Sequence, residues 1–402
     1  MTNLPQGWKM ETLGEILSSD KYSIKRGPFG SALKKSFFVE KGIRIFEQYN
    51  PINNDPHWKR YFISHEKFQE LEAFKATEGD LLISCSGTLG KIVELPKDTK
   101  MGIINQALLK IRLNNIKILN SYFIYYFNSP IMQEKILEST LGSAIKNIAS
   151  VKILKQIEIP LPPLKEQERI VGILDESFAK IDESIKILEQ DLLNLDELMQ
   201  SALQKAFNPL KDNAKENYKL PQSWEWKSLE EISENISAGG DKPKNCTESK
   251  TAKNQIPVYA NGVNNNGLVG YTDKATIIKP SLTISARGTI GFVCIRKEPY
   301  FPIVRLISLI PCENILCLHY LYFCLNFFIA KGEGSSIPQL TIPKFKSLQI
   351  PLPPLKEQEQ IAEHLDFVFE KAKALKELYT KELKDYEELK QSLLNKAFKG
   401  EL

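Results

Sequence analysis

The chain has six cysteines, Cys85, Cys246, Cys294, Cys312, Cys317 and Cys324, but no C-x-x-C pair, and five of the six fall in its second half. A disulfide framework would follow the internal repeat set out below, and these positions do not. Cys312, Cys317 and Cys324 lie with His319 in an apolar run that lacks ligand spacing, so free buried thiols are expected in place of a zinc site. Long hydrophobic runs are also missing. The most apolar stretch, "LCLHYLYFCLNFFIA" at 316–330, is fifteen residues long and carries His319 and Asn326, too short and polar for a membrane span, and reads as a buried helix. The opening "MTNLPQGWKMETL" has no apolar signal segment, which points to the cytoplasm. There is no D/N-P-P-[YF] phrase, no G-x-G-x-x-G after a strand, no Walker loop and no metal-ligand cluster. A chain that is not catalytic by itself is expected.

What is present is a duplication. "IPLPPLKEQERI" (159–170) returns as "IPLPPLKEQEQI" (350–361), and "LMQSALQKAF" (198–207) returns as "LKQSLLNKAF" (389–398), both displaced by 191 residues. Near the start of each half, "LPQGWKMETLGEI" (4–16) answers "LPQSWEWKSLEEI" (220–232) at a displacement of 216, and "ISCSGTLG" (83–90) answers "ISARGTIG" (284–291) at 201. Each half is therefore a divergent module followed by one of locked length. The reading is a first divergent module at 1–158, a helical spacer at 159–207, a linker at 208–219, a second divergent module at 220–349 and a second spacer at 350–402. At 402 residues, 42% hydrophobic and 25% charged, every module can bury a core.

After Pro162-Pro163 the sequence runs to Phe207 with a seven-residue apolar rhythm. Val171, Phe178, Ile185, Leu192 and Met199 form one row, and Leu174, Ile181, Leu188, Leu195 and Ala202 the other. This predicts a coiled-coil helix from Leu164 to Phe207, begun by the prolines and ended by Asn208-Pro209. The second copy, Leu355 to Phe398, carries Leu365, Phe369, Ala372, Tyr379, Leu383, Tyr386 and Leu393, interrupted by Lys376 and Lys390. Pairing of the two copies within the chain, antiparallel about a pseudo-twofold axis, is favoured over pairing between chains. The helices carry −5 (164–207) and −2 (355–402) while the whole chain is +4, so the remainder is +11. Basic modules on an acidic spacer fit a polyanion held at two points.

The divergent modules mix short β-branched runs with helical ones, an α/β (α+β) pattern. Their S-x-x-G-T-x-G phrases follow strand-like runs and lack phosphate-loop spacing. A hairpin turn and a DNA-contacting tip remain open for them. Polar clusters supply the candidate DNA-binding residues: Lys34 and Lys35 in "SALKKSFF"; Gln48, Tyr49 and Asn50 in "EQYNP"; Lys59 and Arg60 in "KRYF"; Ser86 and Thr88 in the first turn phrase; Asn261, Asn264, Asn265 and Asn266 in "YANGVNNNG"; and Arg287 and Thr289 in the second turn phrase. Asn and Gln can read adenine, and Arg or Lys can read guanine or hold phosphate.

The order of two variable modules and two helical regions, the repeated "IPLPPLKEQE", the paired "GTxG" phrases and the closing "LLNKAFKGEL" together resemble the specificity (HsdS-type) subunit of type I DNA restriction-modification enzymes. The resemblance implies that each variable domain reads one half of a split, asymmetric site on double-stranded DNA. It implies that the helices fix the gap, that two methyltransferase subunits dock on the scaffold, and that motor-nuclease subunits join for restriction. It also implies no cofactor on this chain, with S-adenosylmethionine, ATP and magnesium on the partners, and no membrane. Its motifs are scaffold motifs and transfer no base contact. The competing readings are an enzyme with an unrecognised nuclease or methyltransferase-associated site, and a coiled-coil adaptor that does not bind DNA.

Overall fold

Two prolines followed by a proline-free run with a single glycine, Gly172, produce a helix from Leu164 to Phe207, and the second copy produces one from Leu355 to Lys399. The computed structural model describes residues 4–138, 148–207, 221–329 and 340–402, so Asn208-Pro209 and the linker expected at 208–219 lie outside the described residues. The chain divides into two units, one of residues 1–188 with 381–402, the other of residues 189–380. Both long helices cross the division, so the first unit is assembled from both ends of the sequence while the second is a continuous stretch.

Asp182 and Asp196, two heptads apart on the first long helix, bond to Lys390 and Lys376, two heptads apart in reverse order on the second. The first of these pairs lies in the first unit and the second in the other. The helices are therefore antiparallel partners within one chain. Leu174, Ile181, Leu188 and Leu195 are buried along the seam, and Val171, Phe178, Ile185 and Leu192 half-buried. At the ends burial passes to Ile170, Leu203 and Phe207, because a 3.6-residue helix drifts against a seven-residue repeat. Lys376 and Lys390, which interrupt the apolar seam, are its cross-helix polar contacts.

The first unit contains a four-stranded antiparallel sheet with the order Ile24–Arg26, Leu108–Ile111, Leu81–Ser84, Ile92–Glu94. A second, mixed sheet includes the parallel pair Ile43–Phe46 and Gly102–Ile104. The second unit repeats this with Ser233–Ala238, Ile307–Pro311, Ser281–Ile284 and Val293–Arg296, beside the parallel pair Ile256–Tyr259 and Phe301–Pro302. The duplicated phrases at the two ends of each module meet as a two-stranded ribbon: Lys9–Thr12 on Glu158–Leu161, and Glu225–Ser228 on Gln349–Leu352.

The repeated "LKEQE" has an identifiable task. Gln167 is fully buried; its amide oxygen accepts from Leu119 N at 2.9 Å while its amide nitrogen donates to Lys117 O and Pro162 O, each at 2.9 Å. Gln358 does the same with Cys317 N (2.9 Å), Ile315 O (2.9 Å) and Pro353 O (2.8 Å). In each unit one glutamine fastens a long helix to the loop ahead of an aromatic helix, Asn120–Asn128 or Leu318–Phe328. The latter is the apolar stretch singled out from sequence. It is buried through Tyr320, Leu321, Phe323, Cys324 and Leu325, and no helix among the described residues is long and apolar enough to cross a membrane. Tyr122 and Tyr320 donate to the carbonyls of Pro160 and Pro351, at 2.8 and 2.6 Å. The repeated "KAF" completes both cores: Phe398 packs into the first unit and Phe207 into the second.

Candidate nucleic-acid interface

In the first unit four strand ends deliver their loops to one place. Gly27 N donates to Leu108 O (2.9 Å), Asn105 N to Phe46 O (3.0 Å) and Cys85 N to Ala107 O (2.8 Å), so the segments after Arg26, Phe46, Ser84 and Ile104 are bonded to one another. Gly27 must be glycine there, because a Cβ would come within 1.7 Å of Asn105 O. Gly239 holds the equivalent place in the second unit, where a Cβ would lie 2.6 Å from Ile303 N.

The turn phrases are tight turns at these loop clusters. Gly87 and Gly90 have φ of +67° and +68°, and Gly288 and Gly291 +69° and +82°, values that favour glycine. Ser84 fixes the first turn, its hydroxyl donating to Thr88 O (2.7 Å) and accepting from Lys91 N (3.0 Å). Thr88 is exposed, and the Ser86 hydroxyl donates to Gln48 Oε1 at 3.4 Å, which brings two of the expected clusters together.

Residues 47–60 form a loop braced from inside. Asn50 is fully buried: its oxygen accepts from Glu47 N (2.9 Å) and its nitrogen donates to Asp55 O (2.9 Å) and Trp58 O (2.8 Å). Arg44 donates to Pro56 O and Trp58 O from the strand below. The bracing presents the stacked rings of Tyr49 and Trp58, 4.3 Å apart, followed by exposed Lys59 and Arg60. Burial raises the Glu47 carboxyl above its ordinary range, against the pull of the Arg60 charge. Lys34 and Lys35 are exposed. They precede Phe38, which pairs with Ile63, whereas Lys59 and Arg60 precede Phe62 at the other end of that ladder.

In the second unit Asn261 occupies the staple position. Its nitrogen donates to Val304 O (2.7 Å) and its oxygen accepts from Ala286 N (2.8 Å), joining three loops through one amide. Gly262 N donates to the Ser285 hydroxyl at 3.3 Å. Asn264, Asn265 and Asn266 are exposed, with Asn265 and Asn266 at φ +47° and +51°. Arg296, buried against the Tyr259 ring at 3.6 Å, donates to Asn266 O and holds that bend. Arg287 and Thr289 are exposed at the turn tip. Asn50 and Asn261 thus spend their amides on backbone groups, while Gln48, Tyr49, Lys59, Arg60, Ser86, Thr88, Asn264, Asn265, Asn266, Arg287 and Thr289 face outward or border the cluster.

Two features gave no signal in the sequence. Phe29, 70% exposed, stands just beyond Gly27 with the Arg26 guanidinium 6.0 Å from its ring. Val304 and Arg305 adopt φ of +54° and +62°. A left-handed backbone costs an ordinary residue about 1–2 kcal/mol. Among the described residues no group of three or more His, Cys, Asp or Glu could hold a metal ion. Donors, cations and exposed rings carried on rigid strand ends are the chemistry of recognition.

Residues 5–192 and 221–384 match the family model for the type I restriction modification DNA specificity domain. A Mycoplasma pneumoniae protein with the provisional name type I specificity subunit is 33% identical over 221 residues, covering 54% of this chain and 56% of that protein. A second protein of that organism is 31% identical over 231 residues, 56% of this chain and 66% of its own, so the chain spans about three fifths of the length of these relatives. The specificity subunit of type I restriction enzyme MjaVIII from Methanocaldococcus jannaschii is 25% identical over 358 residues, 81% of this chain and 79% of that protein. Among solved structures, a chain from work on complex assembly and conformational transition of the type I R-M system superposes with a TM-score of 0.81 at 21% identity over 100% of both chains. The HsdS subunit of Thermoanaerobacter tengcongensis does so at 0.64 and 20%, covering 99% and 98%. At these identities the structural likeness shows the fold.

Proposed function

The chain belongs to the type I restriction modification DNA specificity family, and from that premise we propose that it is the sequence-reading subunit of such a complex, with each unit reading one half of a split, asymmetric site on double-stranded DNA. One observation carries this reading. Both units build the same loop frame, with Gly27 and Gly239 at the crossing and glycine turns at 87–90 and 288–291, yet decorate it differently: Gln48, Tyr49 and Arg60 in one, Asn264, Arg287 and Arg305 in the other. A shared frame with unlike tips fits two related readers of unlike sequences. The excess of +11 outside the helices supplies phosphate attraction.

The methyltransferase subunits dock on the long helices in this proposal, with motor-nuclease subunits joining for restriction; S-adenosylmethionine, ATP and magnesium belong to those partners and the chemistry is theirs. Exposed Phe367 and Leu378, eleven residues and so about three turns apart on one face of the second long helix, support a docked partner. The helices also set the spacing between half-sites.

Replacing residues 17–158 with the corresponding module of a relative, followed by adenine-methylome mapping, tests the reading: one half-site should change and the other persist. Change in both, or in neither, overturns it. Inserting four helix-forming residues after both Leu188 and Tyr379 tests the spacing, because it lengthens each helix by about 6 Å. The gap should grow by one to two base pairs of about 3.4 Å each, with both half-sites unaltered.

A further inference from the structure

The segment Ile303–Leu306 is a reverse turn closed by Leu306 N donating to Ile303 O at 3.0 Å, with Val304 and Arg305 at its two central positions. Both have positive φ, the geometry of a type I′ turn, in which Asn-Gly is the favoured pair and a β-branched residue is an outlier. The corresponding turn of the first unit, Asn105–Leu108, is closed in the same way by Leu108 N donating to Asn105 O at 3.2 Å. Its central Gln106 and Ala107 are not among the residues of positive φ. The frame therefore does not require the left-handed turn.

The second unit holds that turn firmly. Val304 N donates to Gly240 O and Arg305 N to Gly239 O, both at 2.8 Å, and Val304 O accepts from the Asn261 side chain. With both central N–H groups bonded, the turn leaves Val304 51% exposed and Arg305 exposed, one amide away from Ala286 and the Arg287 tip. An apolar β-branched side chain fixed outward in a costly conformation, beside a cation and within a polar loop cluster, indicates a contact partner that compensates the strain.

We propose that the Val304–Arg305 turn is a base-reading element of the second unit: Val304 makes an apolar contact with a thymine methyl in the major groove, Arg305 hydrogen-bonds the guanine edge of a neighbouring pair, and Asn261 is the positioning residue. The inference rests on the DNA-reading function proposed above. Thymine is the base that presents a methyl group in the major groove, and arginine matches the two acceptors of guanine.

The test uses the full chain assembled with its methyltransferase subunits, binding duplexes in which each thymine of the bipartite site is replaced in turn by deoxyuridine, which lacks only the methyl. For the wild type, one replacement in the second unit's half-site should weaken binding about fourfold, the worth of one buried methyl. Val304→Gly suits the left-handed turn and removes the side chain, so it should fold at least as well and be indifferent to that replacement. Arg305→Ala should lose at least about fivefold discrimination at an adjacent guanine, with the first unit's half-site unchanged. If the wild type binds its site specifically but Val304→Gly stays fully sensitive to deoxyuridine and Arg305→Ala keeps its guanine preference, this inference fails alone. If the wild-type assembly shows no sequence preference, the inference and the proposed function fail together.

Discussion

Phe398 lies edge-on to Tyr122 and Tyr126, with ring centroids 5.4 and 5.1 Å away, although more than 270 residues of chain separate them. Phe207 stands in the same relation to Tyr320 at 5.5 Å in the second unit. Each unit is thus sealed by the far end of a long helix that begins in the other.

Phe398→Ala should destabilise the first unit by about 3–5 kcal/mol, the usual cost of emptying a buried aromatic site, and Phe207→Ala should do the same to the second. Denaturant unfolding followed by hydrogen exchange can assign each loss, since two-unit chains need not unfold in a single step. Equal loss of protection in both units from either variant would refute the separate assignments.

Gln167→Leu and Gln358→Leu should each cost at least about 2 kcal/mol, because one buried N–H and two carbonyls lose their partners while the volume is kept. Differential scanning calorimetry of the two variants checks this, and a shift comparable to an exposed glutamine replacement would show that the clamp is dispensable.

The contacts of Lys376 and Lys390 with Asp196 and Asp182 cross the helix pair with their carboxylates largely in water, so each is expected to contribute no more than about 1 kcal/mol. Lys390→Glu should destabilise, and the charge-swapped double variant with Asp182→Lys should recover most of the loss; a double-mutant cycle in low and high salt reads the coupling. Lys390→Leu should leave stability unchanged or raise it by restoring an apolar seam.

Glu47→Gln should stabilise the first unit near neutral pH and strengthen DNA binding. The folded carboxyl titrates above its unfolded value because burial disfavours its charge. The wild-type penalty is therefore complete above the folded pKa and vanishes as pH falls through the unfolded one. The advantage of the variant should shrink on acidification; a gain independent of pH between 4 and 8 would point to a cause other than the charge.

The long helices were legible because their determinants are local: two prolines set the start, and the heptads set the buried row at Leu174, Ile181, Leu188 and Leu195. The turn glycines were legible for the same reason. Gln167 was not, since its partners Lys117 and Leu119 lie about fifty residues away. Asn50 and Asn261 attract attention for an amide that can pair with adenine, yet the same two-sided geometry also satisfies backbone groups, and it does so for Asn50 in the core and for half-buried Asn261 between loops. Lys34 and Lys35 are exposed, as an adjacent pair of lysines leads one to expect. "PIVRLI" contains no glycine or asparagine to mark a turn, and only the backbone reveals the one at Val304 and Arg305.

The chain order of the two units has a consequence for synthesis. Residues 189–380 are contiguous, so the second unit has all its parts as soon as the ribosome passes Thr380. The first, though made earlier, must wait for Phe398. At a translation rate of roughly 5–20 residues per second, that is a delay of about 10–40 s after Leu188 is made, with the seats around Tyr122 and Tyr126 open. The first module therefore waits longest between its own synthesis and its closure, and has the greater need of shelter from aggregation during biogenesis.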